Sequence, residues 1–257
     1  MRYGTCISPR ETERVAIVKA AGYDYIETDI KTMYNMSVEE IRALAEEMKR
    51  NDIVCECANC FIGHGVMLVG DTANDEQINA YLDNVLPKCA MLDMRVIVFG
   101  SGGSRNRPEG FGEDRAYAQL VHFLRDIAGV RCAGYGISIA VEPLIFRASN
   151  MIHFVAEAVQ LARDSGCANV GGLADIYHMV DNGDEVSGIL KYKGELLHSH
   201  ISNPHTRNYP LSADEYDYSQ FIAALAAAGC ERCTIEAETE DFENDVVNAY
   251  KLLSAIG

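Results

Sequence analysis

The chain has 257 residues, 48% hydrophobic and 23% charged, which supplies enough apolar side chain for a large core and excludes global disorder. Its 38 acidic against 22 basic residues give a formal charge of −16, a surface that repels phosphate backbones and anionic lipid and so disfavours nucleic-acid and membrane partners. The first residues, Met1 to Cys6, lack the apolar stretch of a signal peptide, and no apolar run reaches the roughly 18 residues of a membrane span.

Taken in order, short β-rich runs alternate with amphipathic helices eight times. Residues 3–7 read as the first strand, with a helix from Pro9 to Ala21 ending near Gly22. A strand at 23–28 precedes a second helix opened by a capping box, Ser37 as N-cap and Glu40 three residues later. Strands at 53–58, 95–99, 137–141, 170–173, 196–201 and 233–237 then alternate with helices at 74–92, 114–130, 150–165, 186–194, 218–228 and 243–255. Gly166, Gly194 and Gly229 stand where helix C-caps belong. Most strands are continuous apolar runs, as parallel strands buried on both faces require. Eight such units without a Pro- or Ser-rich linker predict a single (β/α)8 TIM barrel covering residues 1–257 as one domain; a doubly wound open sheet gives the same alternation.

Nine cysteines, odd in number and scattered, fit a reducing cytoplasm better than a disulfide framework. Cys57/Cys60 and Cys230/Cys233 have zinc-ligand spacing, but they lie far apart beside apolar strands and read as small core residues.

Barrel enzymes carry their chemistry at the C-terminal ends of strands, and four motifs with hard metal ligands lie there, on strands five to eight. Glu142 follows the apolar run Ile137 to Val141 and is desolvated unless a cation pairs with it; the alternative is a rim carboxylate on Arg147. Asp175 and His178, three apart in the loop after strand six, can reach one pocket; alternatively Asp175 caps the next helix beside an unrelated histidine. His198 and His200 share one face of strand seven, so one can be a ligand and the other pack behind it. On strand eight Glu236 and Glu238 share a face, and the likeness of Thr234-Ile235-Glu236 to Ala140-Val141-Glu142 favours Glu236. Arg207, in the loop between strands seven and eight, is placed to hold a substrate oxygen or else is a solvated loop residue. One divalent ion fits these donors, and the ligand set does not choose among Mn²⁺, Co²⁺, Mg²⁺ and Zn²⁺.

Val141-Glu142-Pro143-Leu144, Asp175-Ile176-Tyr177-His178-Met179, His198-Ser199-His200 and Ile235-Glu236-Ala237, with the loop from Phe99 to Gly110, resemble the xylose-isomerase-like TIM-barrel superfamily, above all its sugar isomerase/epimerase branch with the ketose 3-epimerases. The resemblance runs over the whole chain. It implies a metal site of Glu142, Asp175, His200 and Glu236, with Mn²⁺ the expected ion, and substrate contacts from His178 and Arg207. Two departures stand out. Arg207 lies one residue further from its histidine than in the epimerases, and a second family glutamate shortly after Glu142 is replaced by Ala148 or its neighbour Arg147. The implied substrate is therefore a carbohydrate that need not be free tagatose or psicose, and Arg105, Arg107 and Arg147 either hold a sugar phosphate or only offset local acidic charge.

The chemistry these residues permit is proton transfer next to a carbonyl. One of Glu142 and Glu236 removes a proton to give a metal-bound enediolate, and the other returns one, to the opposite face for epimerisation or to the neighbouring carbon for isomerisation. Three other readings use the same barrel. A polyol or inosose dehydratase or lyase needs the same ligands, a non-catalytic sugar-binding subunit predicts weak metal binding, and an apurinic nuclease needs many more His and Asp ligands, for which His64 alone is at hand. The chain could act alone or as a homo-oligomer.

Overall fold

The β-branched and aromatic runs form eight parallel strands: β1 (Arg2–Cys6), β2 (Tyr25–Asp29), β3 (Val54–Asn59), β4 (Val96–Phe99), β5 (Ser138–Val141), β6 (Val170–Asp175), β7 (Leu196–Ile201) and β8 (Arg232–Ile235). In this computed structural model, which describes residues 1–257, they pair in sequence order, and β1 pairs with β8 to close the barrel. Closure decides against the open sheet.

Around the strands lie α1 (Arg14–Ala21), α2 (Ile30–Tyr34), α3 (Val38–Arg50), α4 (Asp75–Met91), α5 (Gly102–Arg105) and α6 (Glu113–His122). A π-helical turn, Phe123–Ala128, joins α6 to α7 (Gly129–Gly134), followed by α8 (Val155–Ser165), α9 (Ile176–Asn182), a 3-10 segment (Val186–Tyr192), α10 (Tyr218–Ala228) and α11 (Phe242–Ile256). The Ser37/Glu40 capping box is present in full, and Gly166 and Gly229 end their helices in the left-handed conformation.

Departures from the predicted elements have local causes. The first helix starts at Arg14 because Glu11 folds back on Ser8, through both backbone (3.0 Å) and side chain (3.2 Å). The helix expected from residue 150 starts at Val155, because Ile152 has φ +61° and its neighbours are tied to the β5 exit. The helix expected at 186–194 is a 3-10 segment with Gly188 in its middle, which weakens α-helix. The helix expected to end near residue 130 continues to Gly134, and β6 runs on to Asp175. Short α2, α5 and α9 carry too few residues for a periodic signal.

The core has two layers. Leu, Ile, Val and Phe side chains fill the space between strands and helices, while Tyr25, Cys57, Val96, Val98, Ala140 and Leu173 fill the inside of the barrel. All nine cysteines are free, and the two spaced pairs do not converge: Cys57 faces His198 inside the barrel, and Cys230 and Cys233 are buried in the outer layer. No helix is long and apolar enough to cross a membrane.

Candidate metal centre

Side chains alternate across a strand, so each inward core position predicts another two residues on. Ala140 is followed by Glu142, Leu173 by Asp175, His198 by His200 and Thr234 by Glu236, which brings four polar side chains to the C-terminal mouth of the barrel. Their ligand atoms all lie within 4.8 Å of one another. The His200 Nδ1 is the hub, 3.1 Å from Glu142 Oε1, 3.5 Å from Glu236 Oε2 and 3.9 Å from Asp175 Oδ2. Glu142, Asp175 and His200 are buried, and the Glu236 side chain is 18% exposed, which leaves the cluster open toward solvent on the β8 side.

Asp175 does both things the sequence allowed for it. Its Oδ1 caps α9, accepting from the backbone N–H of Tyr177 at 2.8 Å and of His178 at 3.4 Å, while Oδ2 faces the cluster. Because α9 starts there, His178 is carried into the same pocket, with Nε2 3.6 Å from Asp175 Oδ2 and 3.8 Å from Glu142 Oε1. Burial pulls the His178 pKa down to about 4, so at neutral pH it is an uncharged imidazole, and its Nδ1 is buried without a partner.

Behind the cluster lies a residue that the motifs did not single out. Glu27 on β2 is fully buried and accepts from both strand-seven histidines, His200 Nε2 at 3.0 Å through one oxygen and His198 Nε2 at 2.7 Å through the other. His198 continues the chain to Thr234 Oγ1 (3.2 Å), which meets the Tyr25 hydroxyl at 2.9 Å. Thus His200 faces the cluster and His198 packs behind it. Against the cost of burial, the charge of His200 and the hydrogen bonds from both histidines hold the Glu27 carboxyl well below the usual range. Burial keeps His198 itself low and uncharged, and the charges of Glu27 and Glu236 raise His200 well above its ordinary value. The signal for Glu27 was available: it is a lone acid inside the run Tyr25-Ile26-Glu27-Thr28, the context that drew attention to Glu142.

Arg207 lies at the rim, with a left-handed backbone (φ +61°) held by its N–H on Asn203 O and its carbonyl on Glu238 N. Its guanidinium stacks 4.6 Å from the Tyr177 ring centroid, donates to Glu236 Oε2 and sits 3.5 Å from His178 Nε2. Asn59 donates to the other Glu236 oxygen at 2.7 Å. Burial would raise the Glu236 pKa, but the positive charges of His200 and Arg207 win and hold it below the ordinary value, whereas burial prevails at Asp175 and raises it. Glu238 contributes only its backbone here, pairing with Asn208.

Other candidates are placed elsewhere. His64 stacks on Tyr34 at 4.3 Å and bonds Lys31 O at 2.8 Å, away from the cluster. Arg105 is buried on backbone carbonyls, Arg107 bonds Phe111 O, and Arg147 pairs with Asp181 at 2.7 Å and the Tyr177 hydroxyl.

The donor set fits a divalent ion. Ionised, the carboxylates of Glu27, Glu142, Asp175 and Glu236 face only the His200 imidazolium and the Arg207 guanidinium, leaving two negative charges uncompensated in a largely buried site. Carboxylate oxygens with a single imidazole suit Mn²⁺, Mg²⁺, Co²⁺ or Zn²⁺.

Known structures share this architecture. D-allulose 3-epimerase from Methylomonas sp. has a TM-score of 0.87 and 17% identity over 100% of this chain and 97% of its own. The 3-keto-D-glucoside 4-epimerase from E. coli has 0.83 and 21% over 99% of each chain. An AP endonuclease, family 2, from Brucella melitensis has 0.80 and 22% over 95% and 96%. No curated protein matches by sequence. A family model described as xylose isomerase-like TIM barrel matches residues 15–255, and the chain belongs to that family.

Proposed function

We propose that this protein is a divalent-metal-dependent isomerase or epimerase of a small carbohydrate, free or phosphorylated, the whole chain working as one barrel domain in the cytoplasm. The observation that carries the reading is the convergence of Glu142, Asp175, His200 and Glu236 on one point at the barrel mouth. These four would hold the ion, with Mn²⁺ the first choice, and when bound it supplies Lewis acidity to a substrate carbonyl and its adjacent hydroxyl.

The protein's own groups do the rest. Glu142 enters from β5 and Glu236 from β8, on either side of His200. Two carboxylates approaching from different sides suit removal of a proton from one face of a carbon and its return to the other. Glu236, held ionised by His200 and Arg207, is suited to take the first proton. Arg207 supplies a fixed positive charge for the developing oxyanion, and uncharged His178 can exchange a hydrogen bond with a substrate hydroxyl. The single imidazole in the cluster and the distant His64 speak against a multi-metal nuclease.

Glu142→Gln and Glu236→Gln test the assignment. Each is expected to lower turnover by about 10²–10⁴-fold, the usual worth of a positioned acid or base. Steady-state kinetics on the active sugar would check it, and a normal rate in both variants would sink the proposal.

A further inference from the structure

The β4 exit, Phe99 to Arg105, plays no part in the site as described, yet it contains the bulkiest of the fully buried side chains. Arg105 has 0% exposure and no carboxylate partner. Its Nη1 donates to Phe99 O (3.1 Å) and Glu142 O (2.8 Å), and its Nη2 to Ile152 O (3.2 Å). A buried guanidinium whose hydrogen bonds all go to carbonyl oxygens is costly, and burial, against the favourable charges of Glu142 and Glu157, brings its pKa down to about 10, which still leaves it charged at neutral pH.

The three carbonyls belong to the ends of β4 and β5 and to the loop returning from β5. Glu142 is thereby fixed on both sides, its N–H on Phe99 O at 3.1 Å and its C=O on Arg105. Ile152, a β-branched residue in the left-handed region, also takes the Leu144 N–H on its carbonyl, so Arg105 braces strained backbone. The turn carrying Arg105 is itself anchored, because Ser101 Oγ accepts from Ile62 N at 2.9 Å and Ser104 O from Leu68 N at 2.8 Å. Gly100 completes the arrangement. A Cβ there would lie 2.1 Å from Glu142 Oε2, so only glycine leaves the carboxylate its place.

We propose that Arg105 and Gly100 are the positioning residues for Glu142, Arg105 by clamping its backbone and Gly100 by leaving room for its carboxylate. Arg105 is then neither a substrate ligand nor simple core filling. The inference rests on reading Glu142 as a metal ligand.

The test is Mn²⁺ titration followed by electron paramagnetic resonance, on wild type, Arg105→Gln, Arg105→Lys and Gly100→Ala, with circular dichroism and Tm on each. Folded Arg105→Gln and Arg105→Lys are expected to bind Mn²⁺ about 10–100-fold more weakly with an altered bound-ion spectrum, as when groups orienting a ligand are removed. Lysine should not rescue, since an ammonium cannot reproduce a planar fork across three carbonyls. Gly100→Ala, which leaves Arg105 intact, should weaken binding in the same sense. Glu56→Ala at the opposite end of the barrel controls for lost stability and should keep the wild-type affinity. Folded Arg105 variants with wild-type affinity and spectrum would overturn the proposal. If neither folds, Gly100→Ala decides, and wild-type binding there overturns it. Wild-type protein that takes up no Mn²⁺ would instead overturn the metal reading, and this inference with it.

Discussion

Glu27 explains why one strand-seven histidine faces the acid cluster and the other does not. Its two oxygens take one Nε2–H each, so the His200 Nδ1 is turned toward Glu142, Asp175 and Glu236. Glu27→Gln keeps the shape but loses one acceptor, because an amide cannot accept from two imidazoles through both atoms. Metal affinity should fall about 10–100-fold, and an unchanged Kd would show that His200 needs no such brace. A pH dependence follows. The pKa of His200 is raised, so in the metal-free protein Nδ1 carries a proton that an ion must displace. Affinity should therefore climb as pH rises toward that raised pKa, with proton uptake by the buffer in titration calorimetry. The sequence marked the ends of strands five to eight, because an acid or histidine ending an apolar strand is conspicuous, whereas the choice of His200 over His198 came only with the family resemblance. It could not tell that Asp175 divides its oxygens between a helix cap and the cluster, since that depends on where β6 stops.

At the level of elements, alternation along the strands is what made the site legible, and side-chain size inside the barrel is what made its packing hard to foresee. Tyr25 fills the interior because Gly4 on the neighbouring strand leaves it room, with a Cβ at Gly4 falling 2.2 Å from the ring. Gly4→Ala should cost about 1–3 kcal/mol of stability by overpacking, read from the midpoint of urea unfolding, and it should disturb the Tyr25–Thr234 bond behind His198. An unchanged midpoint would mean that the ring moves freely. The misplaced helix starts share one cause: local side-chain bonds, such as Ser149 Oγ with Met151 N and O, compete with helix and carry no periodicity.

Across the whole molecule the two ends of the barrel divide the work, as expected for this architecture. The mouth holds the acid cluster; the base holds Glu56 between Arg2 and Arg232. Burial would raise the Glu56 pKa, but Arg232 and Arg2 prevail and lower it. Its stabilising contribution is therefore present above the unfolded value of 4.5 and is lost as pH falls through the folded one. Wild type should have the higher Tm at pH 7, and its advantage over Glu56→Gln should shrink below about pH 4.5; a constant gap would contradict this. Barrel closure itself was beyond the alternation, which an open sheet shares, and rests on the register of β1 against β8, Arg2 with Arg232 to Thr5 with Ile235. What the barrel does at its mouth is tested most directly by deuterium uptake from D₂O into a panel of ketoses and sugar phosphates, with Mn²⁺ present and then after chelation. Exchange at one carbon that disappears on chelation is the predicted result, and no exchange into any of them by protein that binds Mn²⁺ would contradict proton transfer as its chemistry.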